Sequence, residues 1–180
     1  AAGCATRRAD CGCATAVVGD VAVGALVAVN AVGDVRDPET GRLIAGTRNG
    51  PDGRDLIDTA AALAAGAPPP RFRPVNTTIG VVATTAALGK DEAARLAQVG
   101  MDGFARALSP PHLSTDGDAL FALSIGDARV DFTALGAAAA GVVSRAIVRA
   151  VMTARSLPGL PCARDLAGGE GHRRGQREDD

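Results

Sequence analysis

The chain has 180 residues, 47% of them apolar, with four Phe and neither Trp nor Tyr, and 19 basic against 20 acidic side chains give a net charge of −1. That length suits one domain, with a core built from closely packed Ala, Val and Leu. The charges are dispersed with no basic stripe or interleaved aromatics, which argues against nucleic-acid binding. No stretch approaches the roughly 20 apolar residues that span a bilayer and the start lacks a signal-peptide pattern, so no membrane partner and a cytoplasmic location are expected.

Residues 1–10 read as a ragged edge. Cys11-Gly12-Cys13 is a C-x-C rather than a C-x-x-C, and with histidines only at 112 and 172 no metal site or cofactor is expected. Cys11 and Cys13 are expected to be small, semi-buried thiols. Val- and Ala-rich runs from Cys13 to Val18 and from Val21 to Val32 flank Gly19-Asp20, a hairpin signal. The second run is almost continuously apolar, which predicts a strand covered on both faces. Asn30 interrupts it, and a buried amide there needs hydrogen-bond partners.

Residues 33–54 are dense in turn residues and predict a loop excursion. A short helix is predicted from Asp55 to Ala65. The prolines of residues 67–74 exclude helix and central strand, giving an exposed linker into Asn76-Thr77. An apolar run, Thr77 to Thr84, predicts a strand. From Lys90 to Leu108, Leu96, Val99, Gly103, Phe104, Ala107 and Leu108 fall on one helical face, with acidic Asp91 and Glu92 in the first turn. Ser109-Pro110-Pro111 ends that helix, and His112 follows in a loop, where a structural or solvated role is expected. Asp116-Gly117-Asp118 reads as a turn whose carboxylates are not needed for folding. A strand from Ala119 to Ile125, a turn at Gly126-Asp127 and a helix from Phe132 to about Ser156 follow. The charged, Gly-rich end reads as a disordered tail. Strands and long helices in this order predict an α+β fold.

Chemistry enters at Thr77. If the bond before it is cut, one residue carries a hydroxyl nucleophile beside a free α-amine, whose ordinary pKa of about 8 lets it accept the hydroxyl proton. A pair of aspartates flanking a glycine could orient that amine.

Four stretches resemble the self-processing amide hydrolases that include the DmpA-type aminopeptidases and the nylon-oligomer (6-aminohexanoate-oligomer) hydrolases. They are Gly24 to Asp34 (GALVAVNAVGD), Asn76 to Gly80 (NTTIG), Asp116-Gly117-Asp118, and Leu157 to Pro161 (LPGLP). In order and spacing they cover roughly residues 11 to 166. The resemblance implies an αββα sandwich like that of N-terminal-nucleophile hydrolases, incomplete at its N-terminus, because family members are about twice this length. It makes residues 1–166 a partial hydrolase domain with autocleavage between Asn76 and Thr77, and residues 167–180 the tail. It implies Thr77 as nucleophile, Asp116 and Asp118 as the acidic pair that orients amine and hydroxyl, and Asn30 as donor to the developing oxyanion. It also implies a lysine and a tyrosine upstream of Asn30. The one lysine here is Lys90, on an exposed helix face, and there is no tyrosine, so neither group has a counterpart.

By the same resemblance, the substrate is a short peptide or an amide oligomer such as a 6-aminohexanoate oligomer, and the protein is a homo-oligomer. The alternative from another class is a truncated, non-catalytic remnant acting only as an oligomerising or interaction module.

Overall fold

The computed structural model describes residues 10–50, 52–68, 76–114 and 116–167. The ragged start, Cys4, most of the proline-rich linker and the tail from 168 lie outside the described residues. The elements in chain order are β1 (Asp10–Val18), β2 (Val21–Val29), β3 (Asp34–Arg36), β4 (Leu43–Ala45), α1 (Thr59–Ala64), β5 (Ile79–Ala86), α2 (Lys90–Gly100), α3 (Asp102–Ala107), β6 (Leu108–Ser109), β7 (Ala119–Ala128), α4 (Phe132–Thr153) and α5 (Ala163–Ala167).

β1 and β2 form the hairpin expected at Gly19-Asp20, where Gly19 takes φ +58°. β2 pairs antiparallel with β5, and β5 pairs parallel with β7, completing a four-stranded sheet in the order β1-β2-β5-β7. A second, three-stranded sheet, β4-β3-β6, is made of short strands. Two of its strands lie inside the segment read as a loop excursion. Three-residue strands are too short to show an alternating pattern against a background of turn residues.

Alternation along β2 places Val21, Val23, Val27 and Val29 in the core. Against them lies α4, started by the Asp131 side chain accepting the Ala134 amide at 2.9 Å. Leu135, Val142, Val143, Ile147 and Val151 of α4 are fully buried, as are Leu96 of α2 and Phe104 of α3. Each such side chain contributes about 1.5–3 kcal/mol of transfer free energy. The helix comes so close to the sheet that a β-carbon on Gly12 would lie 2.0 Å from the Ala146 carbonyl oxygen. This is how a core poor in aromatics reaches dense packing.

The other face of the sheet is uncovered among the described residues. Val17, Leu26, Ile79, Phe121, Leu123 and Ile125 are exposed there, Ile125 at 75%. The expectation that β2 is covered on both faces is therefore corrected: its outward residues Ala22, Gly24, Leu26 and Ala28 are apolar but exposed or half-buried. Cys11 and Cys13 lie exposed on β1, not semi-buried, while Cys162 is buried. One sheet with one helical layer is half of the four-layer sandwich.

Other boundaries also move. The helix expected over 90–108 breaks at Met101 into α2 and α3, and β7 runs through Gly126-Asp127 instead of turning there. The turn signal is overridden by continued pairing, Ala86 with Ala128, past a register shift. α4 ends at Thr153 and α1 begins at Thr59. By length and composition α4, at 22 residues, could cross a bilayer, which corrects the reading that no stretch approaches that length; here it is a core helix, mostly buried.

Candidate active site

The register of the parallel pair positions the site. Ile79 opposes Ala119, so Thr77 and Gly117, each two residues before its strand, stand side by side. On the other side Ala28 opposes Ile79, which brings the end of β2, with Asn30 and Val32, to the same edge. Three segments separated by scores of residues thus meet at one end of the sheet.

Thr77 is exposed and Asn76 partly buried. The Thr77 hydroxyl donates to the Asn76 carbonyl oxygen at 2.6 Å. The same oxygen accepts the backbone N–H of Gly117 at 3.3 Å. The Thr77 amide N–H donates to the Asn30 carbonyl at 3.0 Å, and the Asn76 side-chain amide donates to that carbonyl and to the Ala31 carbonyl at 3.4 and 3.5 Å. The bond between Asn76 and Thr77 is therefore held on its nitrogen by Asn30, just past β2, and on its oxygen by the Asp-Gly-Asp loop.

The two aspartates are tied to backbone. Asp116 Oδ2 accepts the Val32 N–H and Asp118 Oδ1 accepts the Thr78 N–H, both at 2.9 Å. The Asp118 side chain is only 4% exposed. Their remaining oxygens, Asp116 Oδ1 and Asp118 Oδ2, are buried without a hydrogen-bond partner. Burial pushes the Asp118 carboxyl up to about 6; the Thr78 N–H opposes this, the neighbouring Asp116 charge adds to it, and His112 works against it. Beyond the turn expected from the sequence, each of these carboxylates closes a backbone hydrogen bond between segments.

All four residues singled out in the sequence, Asn30, Thr77, Asp116 and Asp118, are brought together with Asn76. The contact from Asn30 to the Thr77 amide runs through its backbone carbonyl. Gly117 is the addition that residue types could not reveal. Its N–H reaches the Asn76 carbonyl, and a β-carbon there would lie 2.7 Å from the Thr77 hydroxyl. Only the interval between two aspartates hinted at it. Lys90, the single lysine, is the exposed first residue of α2. Among the described residues no cluster of three or more His, Cys, Asp or Glu side chains could hold a metal ion.

Residues 1–163 match the model of peptidase family S58. The chain belongs to that family. An uncharacterized aminopeptidase of Mycobacterium tuberculosis is 37% identical over 173 residues, a match covering 81% of this chain and 48% of that protein. An uncharacterized aminopeptidase of Mycobacterium leprae is 37% identical over 165 residues, 77% of this chain and 42% of that one. The chain spans about half the length of the curated relatives it matches.

Among solved structures, a β-aminopeptidase of a Burkholderia species superposes with a TM-score of 0.58 at 21% identity, over 96% of this chain and 51% of that one. The L-aminopeptidase D-Ala-esterase/amidase of Ochrobactrum anthropi gives 0.59 at 19% identity, over 93% and 49%. The latter is described as a prototype for the serine aminopeptidases and a new variant of the Ntn hydrolase fold. The S58 chain thus has the α+β, Ntn-hydrolase type of fold that its sequence motifs implied.

Proposed function

We propose that this chain carries the nucleophile of a self-processing amide-bond hydrolase, cut between Asn76 and Thr77, that acts on short peptides or on amide oligomers such as 6-aminohexanoate oligomers. The observation that carries the reading is the Thr77 hydroxyl at 2.6 Å from the Asn76 carbonyl oxygen, with the Gly117 N–H on the same oxygen. Membership of a peptidase family and the aminopeptidase names of the relatives support the reaction class.

In the first step the Thr77 Oγ attacks the Asn76 carbonyl carbon. Negative charge develops on the carbonyl oxygen, where the Gly117 N–H already donates; one such preorganised donor is worth about 3 kcal/mol in a transition state. The C–N bond then breaks as the proton released by Oγ passes to the Thr77 nitrogen, leaving Asn76 as an ester on Oγ. Water hydrolyses the ester, giving an Asn76 carboxylate and a Thr77 with free amine and hydroxyl. The Asn30 carbonyl, already the acceptor for the Thr77 nitrogen, retains the amine in place. In this reading the buried Asp116 and Asp118 oxygens that lack hydrogen-bond partners become acceptors for the freed amine.

In turnover the same hydroxyl attacks a substrate amide. The amine takes the hydroxyl proton as general base and returns one to the leaving amine. The ester so formed is released by water.

The test is chemical labelling of new α-amines on the purified protein. A labelled peptide beginning Thr77-Thr78-Ile79 supports self-processing; its absence from protein kept intact for days favours the non-catalytic module instead.

A further inference from the structure

Among the described residues, His112 is an ionisable side chain that faces the aspartate pair and that self-processing leaves without a role. Its placement is specific. The Nδ1 atom lies 3.8 Å from Asp118 Oδ2, the buried oxygen without a hydrogen-bond partner, and the imidazole is 44% exposed. Its ring lies over the buried Phe104 ring, with centroids 6.3 Å apart and planes 14° from parallel. Its backbone takes φ +51°, a left-handed conformation uncommon for residues other than glycine. Such a backbone persists where surroundings fix it. Here β6 and Phe104 hold one flank of the loop and the Asp116-Gly117-Asp118 segment lies on the other.

We propose that His112 is a positioning residue whose imidazolium is the counter-charge to the buried Asp116–Asp118 pair, holding Asp118 in the carboxylate form that orients Thr77. This rests on the self-processing reading for its consequence, but not for its electrostatics. The groups facing the Asp118 carboxyl are Asp116 and His112 from its own loop region and the Thr78 N–H at the head of β5. Two like charges and burial disfavour the ionised pair, and the imidazolium is the only cation among these groups. At 3.8 Å the contact is too long for a hydrogen bond, and it is an ion pair when the imidazole is protonated. An opposite charge within about 4–6 Å shifts a carboxyl by about 1–3 units when shielded, and less beside a half-exposed partner.

The sign follows directly. A protonated His112 lowers the pH at which Asp118 ionises, so its loss moves that ionisation upward. Where His112 is neutral, its removal has little electrostatic effect on Asp118. A role confined to packing on Phe104 would depress folding or rate alike at every pH.

The experiment is carboxyl ¹³C NMR titration of Asp118 in the full chain, with the pH dependence of cleavage at Asn76–Thr77 followed in parallel. Three proteins are compared: wild type, His112→Asn, which tolerates the left-handed backbone without charge, and His112→Lys, which restores a cation. We expect the Asn variant to titrate Asp118 about 0.5–1 pH unit higher than wild type and the Lys variant to return it to the wild-type position or below. The acid limb of the cleavage profile should move with it, and rates on the alkaline plateau should stay within about twofold. An unchanged Asp118 titration in the Asn variant overturns the proposal, as does a shift that Lys fails to reverse. If no variant cleaves, self-processing fails while the titration still decides the role of His112.

Discussion

Gly117 approaches Thr77 so closely that a β-carbon on it would intrude within 2.7 Å of the nucleophile's hydroxyl, and its N–H is bonded to the carbonyl that hydroxyl would attack. Threonine's oxygen sits on a β-branched carbon with little rotational freedom. It cannot swing aside cheaply, as the tip of a lysine would.

The Gly117→Ala chain should therefore fold but lose self-cleavage by about 10²- to 10³-fold, the usual cost of disturbing one oxyanion donor. Intact-mass time courses of the two proteins measure this. Wild-type cleavage by the alanine variant would show that Gly117 is only a turn residue.

Asp116→Ala and Asp118→Ala should each destabilise the fold by about 1–3 kcal/mol, because each strands a backbone N–H that the carboxylate now satisfies. The Asn variants keep an acceptor oxygen for that N–H and should avoid the loss while still impairing cleavage; Asp118→Asn, which also removes a buried charge, should exceed wild type near neutral pH. Urea unfolding of wild type and the four variants separates the contributions. Alanine variants as stable as wild type would mean that Val32 and Thr78 find other partners.

Stability should also depend on pH through Asp118. Its carboxyl is raised from 3.8 to about 6, so the folded state binds its proton more tightly than the unfolded chain does. Between about pH 4 and 6 the native protein therefore carries more protons at this site, and its contribution to stability falls as pH rises. Above 6 the full penalty of a buried carboxylate applies. Asp118→Asn should accordingly raise the thermal midpoint relative to wild type at pH 7, and the advantage should shrink as pH falls towards 4. A difference independent of pH would contradict the cause assigned to the shift.

The uncovered sheet face predicts association. Leu26, Phe121, Leu123 and Ile125 present a contiguous apolar surface of a kind rare on monomers. Light scattering on eluting protein should give a multimer, and Phe121→Lys with Ile125→Lys should reduce it. A monomer with a sharp thermal transition would show that the face is tolerated in water.

The hairpin at Gly19-Asp20, the strand after Thr77 and the α4 helix were readable because each has a strong local signal: a turn pair, an apolar β-type run, or a long small-residue segment started by Asp131. The meeting of Asn30, Thr77, Asp116 and Asp118 came from motif resemblance alone. No local rule says that β5 and β7 pair in parallel, yet that register is what aligns Thr77 with Gly117. One-sided burial of β2 was hidden because Ala22, Leu26 and Ala28 on its outer side are as apolar as the valines inside. The structural duty of the aspartates was hidden too, since an Asp-Gly-Asp turn looks the same whether its carboxylates meet water or the amides of Val32 and Thr78. Asp34 is a similar case: it is fully buried, with its carboxyl accepting from the Thr47 amide and from the amide and hydroxyl of Thr59, and it anchors the excursion that reads as a loose loop.

Whether Thr77 cuts the bond before it is read from the intact mass of purified wild-type and Thr77→Ala chains after incubation at neutral pH. Two wild-type species are expected, residues 1–76 and 77–180, and a single uncut species for the variant. A wild-type chain that stays whole, or a variant cut at the same bond, would contradict self-processing by Thr77.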